Sequence, residues 1–338
     1  MTSLAALALT MGEPAGIGGE IALKAWLART REAVPPFFLV DDAGRLARLA
    51  ERLDWRVPVA AIDAPEEAKG VFHRALPVLP QALPVDPQPG RPETANARSV
   101  LGAIETAVRL VQKGRAAAIV TNPVQKQILY AAGFAHPGHT EYLAALAGGS
   151  PRPIMMLACP GLRVVPVTTH LPLADAVAAL RTDEIVAVGL ATAAALEADF
   201  GILRPRLAVA ALNPHAGEQG ALGRQEIEVI RPAVEALKRA GISVSGPAPA
   251  DTLFHPRARE SYDAALCMYH DQALIPLKTI SFYEGVNVTL GLPFVRTSPD
   301  HGTALEIAGT GEADASSLIA ALQMAAEMAA HRAGKGLA

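Results

Sequence analysis

The chain has 338 residues, half of them hydrophobic and 4% aromatic, with a formal net charge of −3 and two cysteines. This length predicts two domains and a sizeable core. The absence of a basic run excludes the electrostatic footprint of a nucleic-acid or membrane-surface binder, and the few aromatics exclude stacking platforms for single strands. Two cysteines exclude a disulfide framework. Cys159 and Cys267, both in apolar strand-like runs, read as buried free thiols that fit a reducing cytoplasm. The start Met1-Thr2-Ser3-Leu4-Ala5 has no basic stretch and no apolar run could span a bilayer, so a soluble cytoplasmic protein is expected.

In chain order, residues 4–10 read as a strand, 11–19 as a glycine-rich turn and 20–29 as a helix. A strand at 37–40 precedes a helix near 43–53. Residues 76–92, proline-rich and without a period, read as a surface excursion. Residues 95–113 have helical spacing and stop at Gly114, a C-cap signal. A strand at 116–120 ends in Thr121-Asn122-Pro123, and 140–146 is helical. Residues 154–158 and 163–169 read as a hairpin around Pro160-Gly161. There follow a helix at 184–200, a strand at 207–212, a helix at 225–240, strands at 242–245, 264–269 and 286–290, and a closing helix at 316–331. Strands alternating with helices predict an α/β fold with a mainly parallel sheet.

Three histidines, His170, His215 and His270, each close one of these apolar strand-like runs. Ligands of open α/β sheets sit beyond the carboxyl ends of strands. Three imidazoles delivered there could hold one divalent metal and leave a position open for substrate; each alone also reads as a satisfied strand-end histidine. Asp271 follows His270 as a hydrogen-bond partner or further ligand, and Asp251 is another loop carboxylate after a strand. Lys278, flanked by apolar residues, suits a phosphate clamp or a proton-transfer group. Asn287 and Arg296 come next, the arginine suited to bidentate phosphate recognition. In Pro137-Gly138-His139-Thr140-Glu141, His139 and Thr140 could meet an anion at a helix start or merely cap it.

The turn Gly12-Glu13-Pro14-Ala15-Gly16-Ile17-Gly18-Gly19 follows a strand and opens a helix, but its glycine offsets are not those of the Rossmann fingerprint. Asp41 and Asp42 stand where that fold places its ribose acid. The turn is either a tight connection or a set of N–H groups facing an anion. Asp300-His301-Gly302-Thr303-Ala304 could wrap an adenine–ribose, or simply precede the last helix.

The segments 12–18, 137–141, Asn213-Pro214-His215-Ala216-Gly217-Glu218, Tyr269-His270-Asp271-Gln272 through Pro276-Leu277-Lys278, and Gly285-Val286-Asn287-Val288-Thr289 through 300–304 lie in order along nearly the whole chain. Together they resemble the 4-hydroxythreonine-4-phosphate dehydrogenase family of pyridoxal 5′-phosphate biosynthesis. The last segment is also similar to the cofactor loop of the isocitrate and isopropylmalate dehydrogenases, whose fold that family shares. The resemblance implies two α/β/α domains around a cleft: a cofactor-side domain of residues 1–130 with 291–338, and a substrate, metal and dimerisation domain of residues 131–290. It implies an obligate homodimer whose metal site is shared, His170 and His215 from one subunit and His270 from the other. The metal would be zinc, magnesium or cobalt, and the cofactor NAD or NADP.

By the same resemblance His139, Thr140, Lys278, Asn287 and Arg296 match substrate contacts. Gly12, Glu13, His301, Gly302, Thr303 and Ala304 match the cofactor side, and Lys278, Asp251 and Asp271 are the candidate catalytic groups. Gly19, Ala273 and Val124-Gln125-Lys126 depart from the usual pattern without touching a ligand. The implied reaction oxidises 4-phosphooxy-L-threonine at C3 and decarboxylates the product to 3-amino-2-oxopropyl phosphate. The nearest alternative is a related dehydrogenase of 4-phosphorylated threonate or erythronate. A phosphate acyltransferase and a non-catalytic phosphometabolite-binding protein are more distant ones.

Overall fold

Runs that are apolar at every position, rather than at alternate ones, become strands covered on both faces. Leu7–Thr10 (β1) and Phe37–Asp41 (β2) are buried throughout. The computed structural model describes residues 4–136, 138–149 and 152–334. The strands continue with Val59–Ala61 (β3), Leu76–Pro80 (β4) and Ile119–Thr121 (β5). Next come Ile154–Cys159 (β6), Leu162–Pro166 (β7), Arg206–Ala210 (β8), Ser243–Ala248 (β9), Ala264–Cys267 (β10) and Val286–Leu290 (β11). The last is Arg296–Pro299 (β12). The chain divides into two units, Met1–Pro153 with Leu292–Ala338, and Ile154–Gly291.

In the first unit the strand order is β3-β4-β2-β1-β5-β12, all pairs parallel. Parallel neighbours need crossovers, here including helices Gly18–Leu27, Ala43–Arg52 and Ala97–Gln112. In the second unit the order is β11-β6-β7-β10-β8-β9. Its β11–β6 and β6–β7 pairs are antiparallel and the rest parallel. The expected α/β class and the hairpin around Pro160-Gly161 are therefore present. No helix among the described residues is long and apolar enough to cross a membrane.

Two features differ from the sequence expectations, residues 76–80 and the unit boundary, and two elements had no expectation, β12 and the helix His270–Ile280. Residues 76–80 are not a surface excursion but a strand between β3 and β2. Leu76 N–H donates to the Pro58 carbonyl and the Val78 carbonyl accepts from Ile62 N–H, so Pro77 falls where that ladder needs no donor. β12 is short and polar, yet wholly buried. His270–Ile280 is a helix despite Pro276 inside it. Residues 131–153 belong to the first unit, not the second. There Leu143 is buried among Ala103, Ile104 and Ala107, and Tyr142 Oη donates to Glu105 Oε1 at 2.6 Å.

Candidate active site

In the first unit the candidate residues gather where β1, β5 and β12 end. Gly12 takes φ +69°, and a Cβ there would lie 2.6 Å from Asn122 Cβ, so only glycine fits the turn after β1. The turn's N–H groups are engaged internally: Glu13 N–H donates to Pro123 O at 2.8 Å, Gly16 N–H to Glu13 O at 3.0 Å and Ile17 N–H to Thr303 O at 3.1 Å. Ala15 N–H donates to Glu13 Oε1 at 3.1 Å. For these residues the tight-connection reading describes the turn. Burial holds the Glu13 carboxyl above its ordinary range, against the pull of the Ala15 N–H and the Arg45 charge.

Ile17 N–H on Thr303 O joins the first glycine turn to the 300–304 loop, so the two segments assigned to the cofactor side meet. Thr303 Oγ1 also donates to Gln125 Oε1 at 3.1 Å, and Ala304 is left-handed at φ 43°. His301 Nδ1 lies 3.0 Å from Gly302 O, while its buried Nε2 has no hydrogen-bond partner among the described residues. Asn122 Nδ2 donates to Thr10 O at 3.1 Å and Gly18 O at 3.3 Å, and its Oδ1 is buried without a partner among the described residues. The loop beyond is clasped by helix Gly18–Leu27. Glu20 accepts from Gly309 and Gly311 N–H, and Lys24 Nζ donates to Gly311 O at 2.7 Å and Ala313 O at 2.6 Å. Asp41 and Asp42 are occupied structurally. Asp41 forms a buried bidentate pair with Arg45 at 2.5 Å, and Asp42 caps helix Ala43–Arg52 through Arg45 N–H.

Arg296, 5% exposed, donates from Nη2 to Thr121 Oγ1 at 2.7 Å. Burial lowers its guanidinium to about 10, which leaves it charged at neutral pH. His139 and Thr140 are the first residues of helix His139–Leu146, with Gly138 at its N-cap; Pro137 lies outside the described residues. Burial, then the charges of Arg296 and Lys126, push the His139 imidazole down to about 3, so it is neutral at pH 7. The structure thus brings Arg296, Lys126 and a neutral His139 together. Lys126, Thr121, Asn122, Thr10 and Gln125 were missed from sequence. Their one signal is position: apart from Lys126 and Gln125, each sits at a strand's carboxyl end.

In the second unit the candidate ligands follow β7, β10 and β8. β7 and β10 are hydrogen-bonded neighbours, so His170 and His270 emerge side by side with ring centroids 5.5 Å apart. Asp271 Oδ1 lies 2.7 Å from His270 Nδ1. Thr168, Leu173, Tyr269 and Asp271 help line the pocket in front of the two rings. His170 and His215 are both left-handed, at φ 53° and 51°. Within one chain the neighbouring imidazoles are thus those of His170 and His270. Among the described residues no three His, Cys, Asp or Glu side chains cluster as a metal site. Asp251 is exposed in the turn Ala250–Thr252. Lys278 Nζ lies 5.2 Å over the Phe282 ring, and Asn287 stands in β11 opposite Leu157.

The donor set is of the kind a divalent ion takes. The Asp271 contact fixes which ring nitrogen of His270 is left to ligate. On the cofactor side, the partnerless His301 Nε2 and Asn122 Oδ1 are polar atoms suited to a polar ligand.

The chain matches a family model described as pyridoxal phosphate biosynthetic protein PdxA over residues 33–325. It is 55% identical to a 4-hydroxythreonine-4-phosphate dehydrogenase of Caulobacter vibrioides, covering 96% of this chain and 98% of that one. It is 52% identical to the protein so named in Bradyrhizobium diazoefficiens, over 96% of this chain and 97% of that one. The 1.25 Å crystal structure of 4-hydroxythreonine-4-phosphate dehydrogenase from Klebsiella pneumoniae superposes with a TM-score of 0.86 at 39% identity, over 96% of this chain and 99% of that one.

Proposed function

The chain belongs to the PdxA family of pyridoxal phosphate biosynthetic proteins, and we propose that it oxidises 4-phosphooxy-L-threonine at C3 and decarboxylates the product to 3-amino-2-oxopropyl phosphate. The observation that carries this reading is the His170–His270 pair at adjacent strand ends, with Asp271 behind His270. His170, His215 and His270 would hold a zinc, magnesium or cobalt ion, which would supply Lewis acidity to the substrate's hydroxyl and ketone oxygens, and NAD or NADP bound on the cofactor side would supply the hydride acceptor.

The chain's own groups divide the remaining work. Asp271 accepts from His270 Nδ1–H and keeps Nε2 unprotonated for ligation. Arg296 and Lys126 supply positive charge for the phosphate or carboxylate. His139, held neutral, offers a hydrogen bond without adding charge. Thr140 and Asn287 add hydrogen-bonding groups. Lys278, or Asp251 or Asp271 through water, takes the hydroxyl proton as hydride leaves C3. The resulting β-keto acid breaks its C1–C2 bond. The electron pair passes into the C3 ketone, and the enol is reprotonated at C2. Gly12, Glu13 and residues 301–304 form the cofactor side, braced by the Ile17–Thr303 contact.

Two copies of the chain share the metal site. Support comes from the absence of a three-ligand cluster among the described residues of one chain. Exposed apolar residues also lie on and beside the His170 and His270 segments: Leu173 at 60%, Ile275 at 63%, Phe282 at 64% and Tyr283 at 63%. The buried free thiols Cys159 and Cys267 suit a reducing cytoplasm.

The test is NADH or NADPH formation from 4-phosphooxy-L-threonine, with carbon dioxide release followed in parallel. Treatment with a chelator should abolish both signals and divalent metal should restore them. Turnover that survives chelation would overturn the metal reading. Faster turnover of 4-phosphorylated threonate or erythronate would reassign the substrate.

A further inference from the structure

His215 sits on a backbone that is costly to hold. Residues His215, Ala216, Gly217, Glu218 and Gln219 are successively left-handed, with φ of 51°, 54°, 76°, 41° and 57°. Four of these five are not glycine, and L side chains keep this conformation only where the surroundings dictate it. The determinant lies eleven residues on. Glu226 is fully buried, at 0% exposure. Its Oε1 accepts from Leu212 N–H at 2.9 Å and Asn213 N–H at 2.7 Å, and its Oε2 from Asn213 Nδ2 at 2.9 Å.

Those are the two residues that lead from β8 into Pro214-His215. Glu226 opens a π-helical turn, Glu226–Ile230. Such turns are rare and concentrate at functional sites. Gly217 completes the fit, because a Cβ there would lie 2.5 Å from Glu226 Oε2. The other two histidine-bearing strand ends are tied into the same layer. Gln272 Oε1 accepts from Met268 N–H at 2.7 Å while its Nε2 donates to Ala211 O at 2.7 Å. Thr168 Oγ1 donates to Met268 O at 2.8 Å.

We propose that Glu226 is a positioning residue for His215: its buried carboxyl gathers the N–H groups of residues 212 and 213 and fixes the left-handed turn that presents the imidazole. The part of the proposal that concerns metal rests on the reading of His215 as a ligand.

The test uses Glu226→Ala and Glu226→Gln, with His215→Ala as reference, in the full chain. Ring signals of isotope-labelled histidine are recorded without metal, the His215 signal being the one missing from His215→Ala. Cobalt(II) is then titrated by its visible absorption. Glu226→Ala should shift or broaden the His215 signal and weaken cobalt binding about tenfold or more, the range typical of groups behind a ligand. Glu226→Gln keeps an oxygen for the two backbone N–H groups and should recover most of that loss. If Glu226→Ala does not fold, Glu226→Asp, whose shorter side chain draws the carboxyl away from the two backbone N–H groups, takes its place. An unchanged His215 signal in whichever of Glu226→Ala and Glu226→Asp folds overturns the proposal, whatever the metal does. Wild-type cobalt binding that matches His215→Ala overturns the metal reading instead, and the ring signal still decides the positioning role.

Discussion

The two units present their candidate residues in opposite ways. In the first, Glu13, Thr121, Asn122 and Arg296 are buried, and the turns carrying them are cross-tied by Ile17–Thr303 and Glu20–Gly311. In the second, His170, His215, Asp251 and Asp271 are exposed, beside large apolar residues also left in water. Buried polar groups with partners rigidify a site, whereas exposed ligands ringed by apolar surface are what an interface would cover. The contrast teaches that the first unit's residues are held by their own surroundings, and that the second unit's are organised at the strand ends but open above them.

That contrast can be broken by mutation. The largest expected effect is in the second unit. His270→Ala should lower metal-dependent NADH formation by more than about 100-fold, exceeding the loss from groups behind a ligand, with little change in thermal melting. A large fall in Tm with metal retained would show that His270 is structural. In the first unit, Asp41→Asn strands the buried Arg45 guanidinium, which also donates to Pro14 O in the first turn. The expected loss is about 3–5 kcal/mol in a denaturant titration.

Next is a pH effect. The folded His139 value of about 3 lies below the ordinary 6.5, so between these values the unfolded chain binds the extra proton. Stability is therefore complete above about pH 6.5 and is lost as pH falls toward 3. His139→Gln should flatten that slope of Tm against pH. The smallest effect is at the neighbour of Asp41. Asp42→Ala removes only the cap on Arg45 N–H, worth about 1 kcal/mol.

Most strands and helices were legible because continuous apolar runs and 3.6-residue spacing survive in the sequence. β4 was not, because prolines mark loops locally while only the pairing with β3 and β2 shows that Pro77 owes no hydrogen bond. β12 was hidden because Arg296-Thr297-Ser298-Pro299 is polar, and its burial depends on β5 and the closing helix Ser316–Arg332 beside it. At the site, the strand-end position of the three histidines was readable one segment at a time. Their partners were not. The nearness of His170 and His270 follows from β7 pairing with β10, a contact across about a hundred residues. Glu226, one acidic residue in an ordinary helical run, gave no sign of the turn it holds.

The division of the chain also sets an order of events during synthesis. The second unit is one uninterrupted stretch, Ile154–Gly291, and all its strands have been synthesised before Arg296 is added. The first unit makes five of its strands early, but β5 lacks its β12 neighbour until residues 296–299 are added. At 5–20 residues per second the wait from Thr121 to Arg296 is roughly 10–35 s. Through that interval the flank of β5 is an open sheet edge, the kind of surface on which a nascent chain attracts chaperones or aggregates.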